Sequence, residues 1–224
     1  MIEALLVGTA LNAANWLQDQ LAACPTSADL EQGIVFVNRL AAYNMIYASK
    51  DLGGGVMWRS WKIEGKETRW QSYFAHGLLE LRSVRSDGSS LKNVYYSAGL
   101  KEEFEVKPQA SLSVSSTYSN ADRGLSWTSE SALRVGELQD VDVAGCTYQG
   151  YEVSLNGNWV RSDGESGRSN LRYTYVPVLK YAFWHSALAP SEVDTARRMR
   201  SRDGWDVQPF EGAVGDHIRQ PSEQ

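Results

Sequence analysis

The stretch Val143–Ser186, VAGCTYQGYEVSLNGNWVRSDGESGRSNLRYTYVPVLKYAFWHS, decides the fold. Thr147–Leu155 has the texture of a strand, rich in β-branched and aromatic residues. Asn156-Gly157 suits either a tight hairpin turn or a bulge in a strand that runs on to Arg161. The bulge is favoured, because Asp163–Gly167 supplies a second and roomier turn. Leu171, Tyr173 and Tyr175 alternate on the returning strand, Pro177 bends it, and Tyr181–Ser186 makes a last strand. This is an antiparallel hairpin with a corner, and the same texture extends outward from it.

Upstream, Ile34–Val37 and Tyr43–Ala48 read as strands, followed by a Gly53-Gly54-Gly55 corner. A phosphate-cradling role for that corner would need a helix to follow, and a strand follows instead. Val56–Ile63 and Thr68–Ala75 flank Glu64-Gly65-Lys66, while Gly77–Val84 and Leu91–Ser97 flank Ser86–Ser89. Phe104 and Val106 run to Pro108, an edge or a corner. Leu112, Val114, Ser116 and Tyr118 alternate against serines and a threonine, as in a half-solvated antiparallel strand. After the Asn120–Gly124 turn, Leu125, Trp127, Leu133 and Val135 continue the pattern. The expected fold is mostly β: a single, strongly curved, half-barrel-like antiparallel sheet of about ten strands, with short N- and C-terminal helices.

The expected domain plan has three parts: an N-terminal segment 1–23, a β domain 24–189, and a C-terminal region 190–224. Residues 2–23 admit three readings. They fit an amphipathic helix, with Val7, Leu11, Ala14, Leu17 and Leu21 on one face. They fit an export signal with its apolar core at Ala4–Ala14, cut between Ala10 and Ala23, although no Lys or Arg precedes that core. They also fit a lipoprotein signal, since Leu21-Ala22-Ala23-Cys24 resembles a lipobox, although Asp19 interrupts the apolar run. At the other end, Ser191–Asp194 resembles a capping box opening a polar helix that reaches about Arg202. That helix would carry Arg197, Arg198, Arg200 and Arg202, with a loose tail beyond Asp206.

Composition narrows the function classes. Apolar residues are 42% and charged residues 22%, as in a folded domain. The net charge of -5 and the absence of basic runs argue against nucleic acid as a partner. No apolar run approaches the roughly 20 residues of a membrane-spanning helix. His76, His185 and His217 show no ligand-like spacing, so neither a metal site nor a cofactor is expected. The pairs Glu102–Glu105 and Asp140–Asp142 suit solvated strand edges better than an acid/base couple. No elbow, P-loop or dinucleotide motif is present, and no catalytic residue is assigned.

Aromatics are 11%, including 8 Trp and 11 Tyr. Trp58, Trp61, Trp70, Trp127, Trp159 and Trp184 all fall in expected strands. They either fill a core or, in a curled sheet, line a cavity of at least about 300 Å³ for a lipid or other apolar ligand.

Two cysteines remain, Cys24 and Cys146. A disulfide between them would mark an exported chain and constrain the unfolded state by about 4–5 kcal/mol. Acylation of Cys24 would instead anchor the protein and leave Cys146 free, and two free thiols would suit the cytosol. The even count and the signal-like segment before Cys24 favour the disulfide, and with it a periplasmic or secreted location.

Three stretches, CPTSADLEQGI (24–34), GCTYQGYEV (145–153) and LRYTYVPVLKYAFW (171–184), resemble uncharacterised exported proteins of Gram-negative bacteria. The last hairpin is also similar to the closing strands of LolA/LolB-like periplasmic half-barrel carriers. That resemblance implies a fold and a compartment and no activity. The expected role is therefore non-catalytic: a periplasmic β-protein that binds a lipid or other apolar ligand on its concave face. The alternative is a structural or envelope-assembly protein that binds another protein, and the third reading is a hydrolase with a site built from distant strands.

Overall fold

Tight turns between alternating strands set the architecture. The computed structural model describes residues 24–68, 70–87, 89–97, 106–120 and 122–219, and for 90, 97 and 219 the backbone alone. The N-terminal segment 1–23, with its signal or helix readings, lies outside the described residues, as do Glu102–Glu105.

The chain forms a meander of β1 (Ile34–Arg39), β2 (Asn44–Gly53), β3 (Val56–Ile63), β4 (Trp70–Ala75), β5 (Leu79–Arg85) and β6 (Ser90–Ser97). It continues through β7 (Ser111–Asn120), β8 (Leu125–Val143), β9 (Cys146–Arg161), β10 (Ser166–Val176) and β11 (Tyr181–Trp184). Each strand pairs antiparallel with the next, and β12 (Thr195–Arg198) returns to lie beside β1. A short β13 (Ile218–Arg219) pairs parallel with β6. The sheet is not closed, because β11 and β12 end the path unpaired with each other.

Local chemistry explains the corners. Ala144 and Gly145 both have positive φ (56° and 78°), the geometry of a two-residue turn that matches strand twist. The Asp142 carboxylate accepts the Gly145 N–H at 3.1 Å and holds that turn in place. Asn156-Gly157 is neither turn nor bulge, because β9 passes through both residues in register with β8 and β10. Glycine is needed there for a different reason: a Cβ on Gly157 would fall 2.2 Å from Ser131 Oγ. The register shift in this hairpin lies instead between Val135 and Leu138 on β8.

The expected polar helix over Ser191–Arg202 does not form. Among the described residues, helical elements are 3-10 turns of three or four residues, including Pro190–Glu192 and Ser201–Asp203. Between those two turns lies β12, in register with β1 from Ile34↔Arg198 to Val37↔Thr195. Tertiary context overrides the local capping signal. The open edge of β1 offers a hydrogen-bonding ladder, and the strand buries Ala196 next to Val193.

Residues 199–219 form a strap on the sheet in place of the expected loose tail. Trp205 meets the Trp58 ring edge-on at 5.9 Å. The Gln71 side chain donates to Asp206 O at 2.6 Å and accepts from Gln208 N at 3.2 Å. Tyr73 donates to Gln208 O and packs on Phe210. His217 is buried against Val94 O and stacks on Tyr95. β12 and the strap thus pack on the sheet beyond residue 189.

Two apolar clusters hold the sheet. One gathers Trp58, Tyr73, Leu81, Leu133 and Val153, with Trp205 and Phe210 of the strap packed against it. The other joins Ile34, Phe36 and Met57 to Val143, Val176, Leu179 and Phe183. Phe36 lies 4.7 Å from the ring of Tyr181 and 5.2 Å from that of Phe183. Strands β1 and β3 thus share one core with β8, β10, β11 and β12.

Candidate ligand cavity

Strand alternation sends every second side chain to the face opposite the strap. On β4, Gln71, Tyr73 and Ala75 are buried beneath the strap or core, while Trp70, Ser72 and Phe74 face the other way. On β3, Trp58 is fully buried, and Arg59 and Trp61 line the opposite side. The space in front of that face is a cavity of about 850 Å³. Strands from β2 to β11 contribute to its wall, β5 through Leu79 and Glu80 at its start. A second hollow, of about 370 Å³, lies at the β8 irregularity among Arg134, Glu137 and Glu152.

The six tryptophans divide. Trp61, Trp70, Trp159 and Trp184 line the cavity. Trp61 and Trp70 touch edge-on at 5.0 Å, and the Trp159 indole covers Gly167, where a Cβ would fall 2.6 Å from the ring. Trp127 stacks on the lining residue Tyr118, with ring centroids 5.0 Å apart and planes 9° apart. Trp58 belongs to the packed core, where its indole N–H donates to Gln71 Oε1.

The wall also carries a polar seam. Ser116, Ser129, Ser131 and Ser169 line it, with the Ser129 and Ser131 hydroxyls 3.0 Å apart. Glu80 and Lys92 form an ion pair at 2.5 Å, and the Lys92 ammonium lies 4.7 Å from the Tyr118 ring centroid. Burial pushes the Tyr173 hydroxyl up to about 12, with the Glu80 charge adding to the effect and Arg59 opposing it.

Arg59 is the lining residue that sequence reasoning missed. Its guanidinium sits over the rings of Phe74 and Tyr181, 4.5 and 4.1 Å from their centroids. It donates to the carbonyls of Gly77, of Lys180 at 3.2 Å and of Ala182 at 3.4 Å. Burial pulls its pKa below the ordinary arginine value, and the neighbouring tyrosines oppose that pull. Alternation with Trp61 was the available signal for its face. No local pattern announced the carbonyls it would meet.

The histidines do not converge. His76 occupies the β4–β5 turn with φ 49°, His185 shares a hydrogen bond with Thr174 Oγ1 at 2.8 Å, and His217 belongs to the strap and meets Val94 O. Among the described residues, no three His, Cys, Asp or Glu side chains gather as a metal set.

Cys24 and Cys146 are joined in a disulfide, with Cα atoms 5.7 Å apart. The Tyr148 hydroxyl donates to Pro25 O at 3.0 Å, so the start of the described chain is tied twice to the start of β9. A thioether-linked diacylglycerol would need the same Cys24 sulfur.

No family model and no curated protein matches the chain. Among solved structures, a hypothetical lipoprotein YmcC from Escherichia coli K12 is similar over 69% of this chain and 78% of that one. The identity is 8% and the TM-score 0.40, a likeness that carries no argument about role. Nothing in these comparisons bears on the LolA/LolB-like resemblance.

Proposed function

We propose that the protein is exported, that its sheet curls as an open half-barrel, and that it holds an apolar or lipid ligand in the hollow without transforming it. The observation that carries this reading is the cavity of about 850 Å³ with Trp61, Trp70, Trp159 and Trp184 on its wall. That volume falls in the range of small-molecule sites, which are concave, mostly apolar and marked by a few polar groups. Large rings offer contact area at small conformational cost, and the serine seam supplies hydrogen-bonding positions. Export is supported by the Cys24–Cys146 disulfide, since such bonds persist in oxidising compartments.

The test is binding of N-phenyl-1-naphthylamine, an uncharged dye that brightens in apolar surroundings. Saturable enhancement is expected, together with its loss when Leu171→Arg places a charge on the wall. Protein purified from the periplasm is expected to release lipid into organic solvent, detected by mass spectrometry. A protein that neither brightens the dye nor carries lipid overturns the reading.

A further inference from the structure

Three charged side chains line the cavity, and the fold answers the charge of only two. Glu80 and Lys92 neutralise each other at 2.5 Å. Among the described residues, Arg59 has no such partner. The carbonyls of Gly77, Lys180 and Ala182 take three of its five N–H donors. Its buried Nε has no hydrogen-bond partner among the described residues. The described groups that surround its charge are tyrosines and a phenylalanine, with no described carboxylate in contact. Ring faces and carbonyl oxygens supply this half-buried cation with partial negative charge, and an anion would balance it fully.

The wall that holds this cation also carries the apolar side chains of Val94, Val114, Leu155 and Leu171. A ligand that satisfies both regions has an anionic end and a hydrocarbon body. We propose that the cavity selects a single-chain anionic amphiphile, its carboxylate or phosphate head on Arg59 and its acyl chain along those four side chains. This rests on the reading of the cavity as an apolar-ligand site and names the chemistry of its ligand. A free fatty acid and a lysophospholipid share that chemistry.

The test is displacement of N-phenyl-1-naphthylamine from the full chain at pH 8, each competitor kept below its micellar concentration. The competitors have matched chains: palmitate, 1-palmitoyl lysophosphatidate, hexadecanol and hexadecyltrimethylammonium. At least one anion is expected to displace the dye at a concentration roughly tenfold or more below that of hexadecanol, with the ammonium weakest. The better of the two anions identifies the head group. Equal displacement by hexadecanol, or better displacement by the ammonium, overturns the proposal while the apolar-ligand reading stands. If the dye fails to bind, release of a single-chain anionic lipid from the periplasmic protein supports the proposal, release of any other lipid overturns it, and release of none overturns both.

In Arg59→Gln the anion preference is expected to fall to within about twofold of hexadecanol. An unchanged preference in that variant, folded by circular dichroism, overturns the assignment to Arg59. Arg59 also bridges backbone segments, so its variant risks the fold. The matched competitors on the unaltered protein decide the proposal without it.

Discussion

Gly77, in the turn between β4 and β5, lies against the backbone of Lys180, just before β11: a Cβ on Gly77 would fall 1.8 Å from the Lys180 carbonyl oxygen. Two distant parts of the meander meet here with no room for a side chain. Arg59 donates to the carbonyls of both residues, and the Tyr175 hydroxyl donates to His76 O at 2.9 Å. Lys180 Nζ reaches back to Asp51 at 2.6 Å. This close backbone approach is therefore also where the Arg59 cation of the cavity is held.

Gly77→Ala is expected to destabilise the fold by about 3 kcal/mol or more, since a backbone clash adds to the strain of positive φ. Gly54→Ala is the control. Gly54 also has positive φ (59°), but a Cβ there meets nothing within 4 Å. It is expected to cost about 1–2 kcal/mol, the strain alone. Urea midpoints of the two variants give the difference, and equal losses would remove the close approach as a cause.

Replacing both cysteines by serine is expected to lower stability by about 4–5 kcal/mol in the chain-entropy account, since the closed loop spans 122 positions. The unaltered protein from an oxidising compartment is expected to weigh two hydrogen atoms less than its reduced form. Unfolding with and without reductant should reproduce the variant's loss. Two alkylatable thiols in periplasmic protein would contradict the disulfide in solution.

Much of the meander was legible because its signals are local. Leu112, Val114 and Tyr118 alternate against serines, and β7 forms where that alternation runs. The six tryptophans were placed in strands on the same grounds. What failed depends on partners far away in sequence. Ser191–Arg202 reads as a capped polar helix until the open edge of β1 is known, and then Thr195–Arg198 extends to meet it. Trp205 and Phe210 sit in a stretch without periodicity, so nothing local shows that they cover Trp58 and Tyr73. Arg59 could be assigned a face by parity with Trp61. Its carbonyl partner at Lys180, 121 positions away, could not.

Acid is expected to loosen the β12 end of the sheet through Asp203. Its carboxylate accepts from Arg197 Nη1 and Nη2 at 2.9 and 2.8 Å and from Arg200 N at 2.8 Å. Burial alone would raise its pKa, but these bonds and the nearby arginine charges outweigh it and hold the group below its ordinary value. A carboxyl depressed in the folded state contributes stability above its unfolded pKa, about 3.9, and loses it as pH falls through the folded value. The urea midpoint should therefore drop as pH is taken below about 4. Asp203→Asn should show a shallower drop in that window and be about 1–3 kcal/mol less stable at neutral pH. An identical acid slope in both proteins would place the acid sensitivity elsewhere.

The strap is expected to hold through the body of Trp205 and not through its indole nitrogen. The ring meets Trp58 at 5.9 Å and carries the Lys62 ammonium 4.2 Å from its centroid, yet its Nε1 is buried with no hydrogen-bond partner among the described residues. Trp205→Ala removes the contact and should cost about 3 kcal/mol. Trp205→Phe keeps an aromatic ring on Trp58 and deletes an unsatisfied donor, so loss of area and relief of that penalty should nearly cancel, to within about 1 kcal/mol. Both variants act on the face opposite the cavity, so the dye affinity of the phenylalanine variant should match that of the unaltered protein. A phenylalanine variant as unstable as the alanine one would mean that the indole nitrogen has a partner in solution, and a changed dye affinity would mean that strap and cavity are coupled through β3 and β4.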